Sequence, residues 1–462
     1  MLRTSFTLLL LSFPAVAHAG PIAELPPGEW YRIPNSRMDA VAFEWSPRTP
    51  GRTRGIMQAW GGGAYDTRDE RLLVHGGGHG DYGGSEVYAM ALDVAEERPG
   101  DNPWARLSDP DAYDALDPDC ANEDNLTDGD HRRSQHTYGR LAYLPSRHAL
   151  CDTGGSIGYV YCPALRQLDC FDLTTNAWTL GLAEGRSSGT GSTGAVHPET
   201  GEWWLQGGSG SGLLGRLDPD ALSWTYGHYD NVPGSSPRNL TAAIDPSRGL
   251  FVAIGSGRMW VLPLESFAPD ETELSEHAVT PSGDASIIDA RAPGLAYDPV
   301  SDRMVAWDGG ADVFLLDLDT MTWSRETMGG EPPGDAANNG TYGRFQRSPR
   351  YGVFVVVSDT GEDVYALRLP GTPLPEPDAG VADPDAGPPS TDAGAPGPDG
   401  GPDAGSHVVV DAGDGEGRPE SGCGCAIPGS APPTSWLGGL LFLGLAQRRA
   451  RRRWKSPATS AR

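Results

Sequence analysis

Short apolar runs separated by polar, glycine-rich turns recur along the body of this chain. In Arg71–Asp93 (RLLVHGGGHGDYGGSEVYAMALD), Leu72, Leu73 and Val74 lead into Gly76, Gly77 and Gly78. A turn then passes through Asp81 and Gly84, and Val87, Tyr88, Ala89 and Met90 form a second run. Such runs predict β-strands, and glycines at the knot let two backbones come closer than a Cβ allows. A third element ends at Trp104. The pattern returns from His136 to Trp178, from Thr193 to Trp224, from Asn239 to Leu264 without a closing Trp, from Gly294 to Trp323, and from Thr341 to Leu369.

Each copy reads strand, turn, strand, glycine pair, strand and usually a Trp-bearing fourth strand, with a period of about 50 residues, as expected for a four-stranded blade. A sheet of this kind cannot bury both of its faces alone, so the copies must stack around an axis. The expectation is an all-β, six-bladed β-propeller over residues 28–370, with seven blades as the alternative count. The last copy lacks a fourth strand, whereas the segment Glu29-Trp30-Tyr31-Arg32-Ile33 has strand character and no partner. This N-terminal strand is therefore predicted to complete the last blade, which removes an exposed edge.

The ends of the chain follow a different grammar. Residues 1–19 read as a signal peptide: Arg3 supplies the positive charge, Phe6 to Val16 the apolar stretch, and Ala17-His18-Ala19 a small-x-small cleavage site before Gly20. Export permits disulfides among Cys120, Cys151, Cys162 and Cys170. Of the three pairings open to four cysteines, Cys162 with Cys170 and Cys120 with Cys151 is preferred, because Cys162 and Cys170 flank a turn-like PALRQLD. Residues 371–420 repeat PDAG-like units with almost no large apolar residues, the composition of a disordered, extended linker. Residues 421–462 carry Cys423 and Cys425, a short apolar membrane segment at 436–446, and then Arg448, Arg449, Arg451, Arg452, Arg453 and Lys455.

Composition narrows the partners. The 462 residues include 63 Gly, 41 Pro and 13 Trp, which suits many short strands and turns. Thirty-five basic against 62 acidic residues give a formal net charge of -27, which excludes nucleic acid and anionic membrane surfaces as partners. A monomer is expected. No C-x-x-C, H-E-x-x-H or phosphate-cradling loop occurs, so neither a metal nor another cofactor is expected. The acidic stretch Asp109–Asp130 leaves Ca²⁺ as the alternative, although it lacks the spacing of an EF-hand.

The GGG followed by EVYAMALD and Trp104, and the later GG with DVFLLDLDTMTW, resemble the Kelch repeat, found also in galactose-oxidase-like propellers. The resemblance spans residues 28–370 and implies the fold. For function it implies a range, since such propellers serve as binding platforms, enzymes and scaffolds. The copper oxidases of that group hold their metal with a Cys–Tyr cross-link, a second Tyr and two His, a set that cannot be placed on this chain. His75 and His79 lie in a glycine loop and are read as turn-stabilising hydrogen-bond groups. The C-terminal tail resembles the myxobacterial C-terminal sorting signal. That implies a sorting protease or membrane machinery as partner, processing near Cys423 or Cys425, and display at the cell surface.

In a propeller the loop leading into each innermost strand reaches the mouth of the central channel. Here those loops carry Gln58, His136 with Tyr138, Thr190, Arg238 with Asn239, Arg291, and Asn339 with Tyr342. The loop with His79, Asp81 and Tyr82 belongs to this rim or to the opposite one. Guanidinium groups fork carboxylates and aromatic rings stack on sugar faces, so these residues suit an extracellular glycan or protein ligand. The competing readings pair Arg238 and Arg291 with acidic neighbours such as Asp289 and place Tyr138 and Tyr342 in blade packing. The functional alternatives are a carbohydrate-active hydrolase or lyase with an acidic pair in the funnel, and a structural adhesin. No catalytic residue is assigned.

Overall fold

A computed structural model describes residues 20–43, 51–78, 81–110, 132, 134–154, 167–185, 189–208, 213–227, 238–272 and 274–375. Residues 1–19, His79, Cys120, Cys162, most of Asp109–Asp130, the linker beyond 375 and the tail with Cys423 and Cys425 lie outside them. Among the described residues no helix is long and apolar enough to cross a membrane.

Six sheets form the body. Blade 1 contains Ala64–Asp66, Arg71–His75, Val87–Ala91 and Trp104–Arg106, and blade 2 contains Ala142–Leu144, Ala149–Thr153, Gln167–Asp172 and Ala177–Glu184. Blade 3 contains Thr193–Val196, Trp203–Gln206, Leu214–Asp218 and Ser223–Tyr226, and blade 4 only Thr241–Asp245, Leu250–Gly255 and Arg258–Pro263. Blade 5 contains Gly294–Asp298, Arg303–Trp307, Asp312–Asp317 and Thr322–Thr327, and blade 6 contains Phe345–Ser348, Val353–Val356 and Tyr365–Arg368. The first strand of every blade packs against the first strands of its two neighbours, so the ring closes. The N-terminal strand Glu29–Arg32 runs antiparallel to Tyr365–Arg368, with Trp30 opposite Leu367, and supplies the fourth strand of blade 6 as expected.

The sequence pattern follows from this stacking. Inner strands are covered on both faces and read as unbroken apolar runs: Leu72, Leu73 and Val74, like Val353, Phe354, Val355 and Val356, are all buried. Outer strands meet protein through one residue, such as Trp323 in Thr322–Thr327, and otherwise face water. Apolar clusters fill the wedge between each pair of adjacent blades. Trp30 is 1% exposed and packs with Trp307, ring centroids 6.3 Å apart, so the closing strand is fixed by burial worth about 2–3 kcal/mol for that side chain alone.

The hairpins have a common local cause. Asp172, Asp218 and Asp317 each accept the N–H groups two and three residues on. The residue four positions on (Asn176, Leu222, Met321) is left-handed, and the next strand begins just before Trp178, Trp224 or Trp323. Such side-chain-capped turns use a carboxylate as backbone acceptor. Asp66, Asp245 and Asp298 do the same in the first hairpins of blades 1, 4 and 5. These six aspartates, of the chain's 62 acidic residues, therefore belong to its turns.

Two features depart from expectation. A disulfide joins Cys151 to Cys170, which overturns both expected pairs, Cys162 with Cys170 and Cys120 with Cys151. The two cysteines face each other across paired strands of blade 2, at a Cα separation of 4.1 Å, because strand register and not nearness in sequence brings them together. The stretch after Met90 forms a short helix, Leu92–Glu97, between the third and fourth strands of blade 1. It turns Glu96 back towards the N-terminal residues.

Candidate functional site

On the face opposite the first hairpins, the loop leading into each blade places one residue in the left-handed region: Trp60 (φ 51°), Tyr138 (48°), Gly191 (75°), Asn239 (61°), Ala292 (44°) and Tyr342 (50°). Five of these carry a Cβ, which costs about 1 kcal/mol each, and a circuit of hydrogen bonds holds them there. Tyr138 N–H donates to Trp60 O (2.7 Å), Gly139 N–H to Ser192 O (3.1 Å), Asn239 N–H to Gly191 O (3.0 Å), Ala292 N–H to Asn239 O (2.9 Å), and Thr341 and Tyr342 N–H to Ala292 O (2.8 and 3.1 Å). The circuit closes through the Arg344 side chain, whose Nε donates to Gly61 O at 3.0 Å.

These left-handed positions aim side chains at the axis. Tyr138 and Tyr342 meet edge to face at 5.9 Å, and Ala292 packs with both. The Tyr342 hydroxyl donates across the channel to Asn239 Oδ1 at 2.9 Å. Tyr342 is fully buried and Tyr138 6% exposed, so the two rings plug the channel and form the floor of the mouth. Desolvation raises the Tyr342 phenol well above its usual value, Tyr138 adds to this, and Arg291, Arg344 and Arg140 pull the other way.

The two tyrosines come from one repeated motif. Thr137-Tyr138-Gly139-Arg140 and Thr341-Tyr342-Gly343-Arg344 occupy equivalent places in blades 2 and 6, on either side of blade 1. Arg140 and Arg344 are both fully buried, and each donates 2.7 Å to the carbonyl four residues back, His136 or Gly340. Arg344 directs its other donors to the carbonyls of Gly61, Val357 and Ser358, and desolvation lowers it to about 10. Arg140 instead meets Asp152 in a buried network with Arg132 and Asp169, beneath the Tyr138 ring.

At the rim, Asp81 Oδ2 lies 2.9 Å from His136 Nε2, which places Asp81 and the adjoining Tyr82 on this face rather than the other; His79 lies outside the described residues. The His136 ring packs on Trp60 at 4.8 Å, and the Tyr138 hydroxyl lies 3.5 Å from its Nδ1. Tyr82 is buried and donates to Glu86. His75 ends the strand Arg71–His75 rather than lying in the glycine loop, and its Nδ1 is 3.0 Å from Glu86 O beside the paired strand.

Arg238 and Arg291 precede the left-handed residue in adjacent blades 4 and 5, and both are exposed. Arg291 donates to Asn339 Oδ1 at 3.3 Å, and Asn339 is held by donating to Gln58 O at 2.9 Å. Among the described residues neither arginine forms an ion pair with Asp289 or any other carboxylate. Thr190 is exposed on the same rim. The structure thus brings Asp81, His136, Tyr138, Arg238, Asn239, Arg291, Asn339 and Tyr342 to one mouth. Of these, Tyr342 lies below its surface, as does Tyr82. Sequence reading passed over Trp60 and the buried arginines, although the repeated Thr-Tyr-Gly-Arg was a visible signal for Arg140 and Arg344.

On the opposite face, Asp66, Asp69 and His148 offer three potential metal ligands within 4.8 Å of one another. The Arg71 guanidinium already bridges the two carboxylates, at 2.6 Å from Asp66 and 2.9 Å from Asp69. The group is an ion-pair network with its own cation.

No protein-family model matches the chain, and no curated protein matches it. Among solved structures, one titled "Structure of YjhT" is similar at a TM-score of 0.40 and 12% identity, over 69% of this chain and 94% of that one.

Proposed function

We propose that the chain is an exported binding propeller, tethered by its C-terminal tail, whose loop face takes an extracellular glycan bearing a carboxylate. One observation carries the reading: Arg238 and Arg291, exposed at equivalent positions of adjacent blades, have no carboxylate partner among the described residues of a strongly acidic protein. A guanidinium left open in this way binds a carboxylate through paired hydrogen bonds. Asn239, Asn339 and the partly exposed Trp60 beside them supply amide groups and a ring suited to sugar hydroxyls and an apolar sugar face. The ring of interlocked loops keeps these groups in place before the ligand arrives, which lowers the ordering cost of binding.

The hydrolase or lyase alternative needs two carboxylates facing a sugar. Asp81, the rim carboxylate from the candidate set, is already held by His136. Binding without turnover is therefore the reading adopted. An array of acidic and neutral glycans, probed with the full exported chain and with Arg238→Ala/Arg291→Ala, tests it. The expected result is retention of uronic or other acidic sugars by the native chain alone. Equal retention by the variant, or retention of neutral sugars only, would overturn it. Tethering is checked separately: Cys423→Ser/Cys425→Ser should shift the chain from the envelope fraction to the medium.

A further inference from the structure

The first described residues, Gly20 to Leu25, turn back against the helix Leu92–Glu97 and the strand Tyr365–Arg368. The Glu96 carboxylate is the anchor. It is 9% exposed and accepts three backbone N–H groups, from Gly20 at 2.5 Å, Ile22 at 2.8 Å and Ala23 at 3.1 Å. The neighbouring cation, Arg368, directs its donors instead to the carbonyls of Ile22, Ala23, Leu25 and Pro373. Arg368 feels the Glu96 charge without contacting it, so among the described residues every hydrogen bond to this buried carboxylate comes from a neutral donor, and a cation in direct contact would strengthen the site. Position 20 is also sterically closed. A Cβ there would lie 2.2 Å from Glu96 O and 2.7 Å from the carboxylate carbon, so only glycine fits. Gly20 is the residue that follows the Ala17-His18-Ala19 cleavage pattern.

We infer that cleavage of the Ala19–Gly20 bond creates an α-ammonium group that forms a buried ion pair with Glu96, so that leader removal completes the fold. The inference rests on the export reading. A leader-removing peptidase adds water across the peptide bond: the hydroxyl goes to the Ala19 carbonyl carbon and a proton to the Gly20 nitrogen, which takes up a further proton at neutral pH. The nitrogen already lies at hydrogen-bonding distance from Glu96 Oε1, so on cleavage a neutral donor becomes a charged one without moving. The turn that Glu96 holds also receives Arg368 from blade 6, so the pair fastens the N-terminal segment across the seam between blades 1 and 6.

The ionisable groups around the new amine are Glu96 on the helix, Arg368 on blade 6, and the Tyr31 and Tyr351 phenols, both of which feel the Glu96 charge. In the inferred cleaved chain, direct contact with Glu96 favours the charged amine, whose ordinary range is about 7.7–8.0, and the more distant Arg368 charge opposes it. A raised amine contributes stability that is fully present below about pH 7.7 and is lost as pH rises through the folded value.

The test uses the full exported chain, a second exported chain with one alanine inserted between Ala19 and Gly20, and Glu96→Gln in both. Intact mass and N-terminal sequencing establish where each begins, and melting is followed from pH 6 to 10. The native chain should begin at Gly20 and melt about 3 °C or more above the extended chain at pH 7. That difference should shrink toward pH 10 and be absent in the Glu96→Gln pair. A mature start elsewhere, equal melting of the native and extended chains, or a difference that survives Glu96→Gln would overturn the inference. An uncleaved leader would overturn the export reading with it, whereas a correct Gly20 start with equal melting would leave that reading standing.

Discussion

On the hairpin face, arginines are tied to oxygens across blade boundaries. Arg147 donates to Pro219 O between blades 2 and 3, Arg248 to Asp302 and Asp319 between blades 4 and 5, Arg347 to Asp298 between blades 5 and 6, and Arg350 to Asp93 between blades 6 and 1. On the loop face, Arg54 pairs with Asp359, but Arg238 and Arg291 have no carboxylate partner among the described residues, Arg291 bonding only the Asn339 amide. One residue type thus seals one side of the disc and stays available on the other. The hairpin face is continuous with the fold; the loop face is carried by it.

The largest effect should come from breaking what both faces share. Deleting Gly28 to Pro34 removes the fourth strand of blade 6 and the burial of Trp30. Circular dichroism should then show loss of the cooperative melt, and an unchanged melt would refute closure by the N-terminal strand. A hairpin-face change comes next. Asp298→Ala removes the acceptor for Ser301 N–H (2.9 Å) and for Arg347 (2.8 Å) at a site 1% exposed. It should cost about 2–4 kcal/mol in denaturant unfolding, with glycan binding retained by the molecules that stay folded. Tyr342→Phe, under the loop face, removes only the hydroxyl bond to Asn239 and should cost about 1 kcal/mol. A larger loss of ligand affinity than of stability in that variant would mean that the floor orients Asn239 for binding.

The smallest effects are differences in titration. Turn N–H groups and Arg303 lower Asp317 on the hairpin face to about 2, and Arg248 and Tyr297 hold Asp302 below its usual range. Depressed carboxylates contribute stability that is present above about pH 4 and lost as pH falls toward 2. On the loop face Asp308, exposed but flanked by protein that desolvates its charge, is raised to about 6. A raised carboxyl acts the other way: stability declines as pH rises from about 4 to 6. Melting against pH should therefore have a slightly shallower acid limb in Asp317→Asn, with Asp302 still contributing to it, and gain stability near pH 6 in Asp308→Asn. Glu70, buried on the hairpin face and raised by desolvation, is the exception to the contrast.

The fold was legible in the sequence to the extent that it depends on local pattern. Repeated apolar runs, the D-x-x-x-x-x-W hairpins and the partnerless strand at Trp30 each report a local requirement, and together they specify blades, their number and the seam. What could not be read depends on register and convergence. Cys151 and Cys170 are opposed only once two strands pair, and no spacing rule reveals that. The left-handed positions at the mouth are hidden because Trp60, Tyr138, Asn239, Ala292 and Tyr342 are not residues that announce such a conformation. For Tyr342 the packing reading holds and the ligand contact does not, but its packing partners Tyr138 and Asn239 come from other blades and could not be named from local pattern. The placement of Arg238 and Arg291 on one rim was readable; that they stay clear of Asp289 was not.

The most direct measurement is a calorimetric titration of the full chain with a uronic-acid oligosaccharide, comparing the native protein, Arg238→Ala/Arg291→Ala, and Arg350→Ala as a hairpin-face control of the same charge type. Native protein and the Arg350 variant should bind with affinities within about twofold, and the double variant at least about tenfold more weakly, a loss of about 1.4 kcal/mol or more. Equal affinity in all three, or no heat of binding in the native protein, would contradict the assignment of the loop face as the binding face.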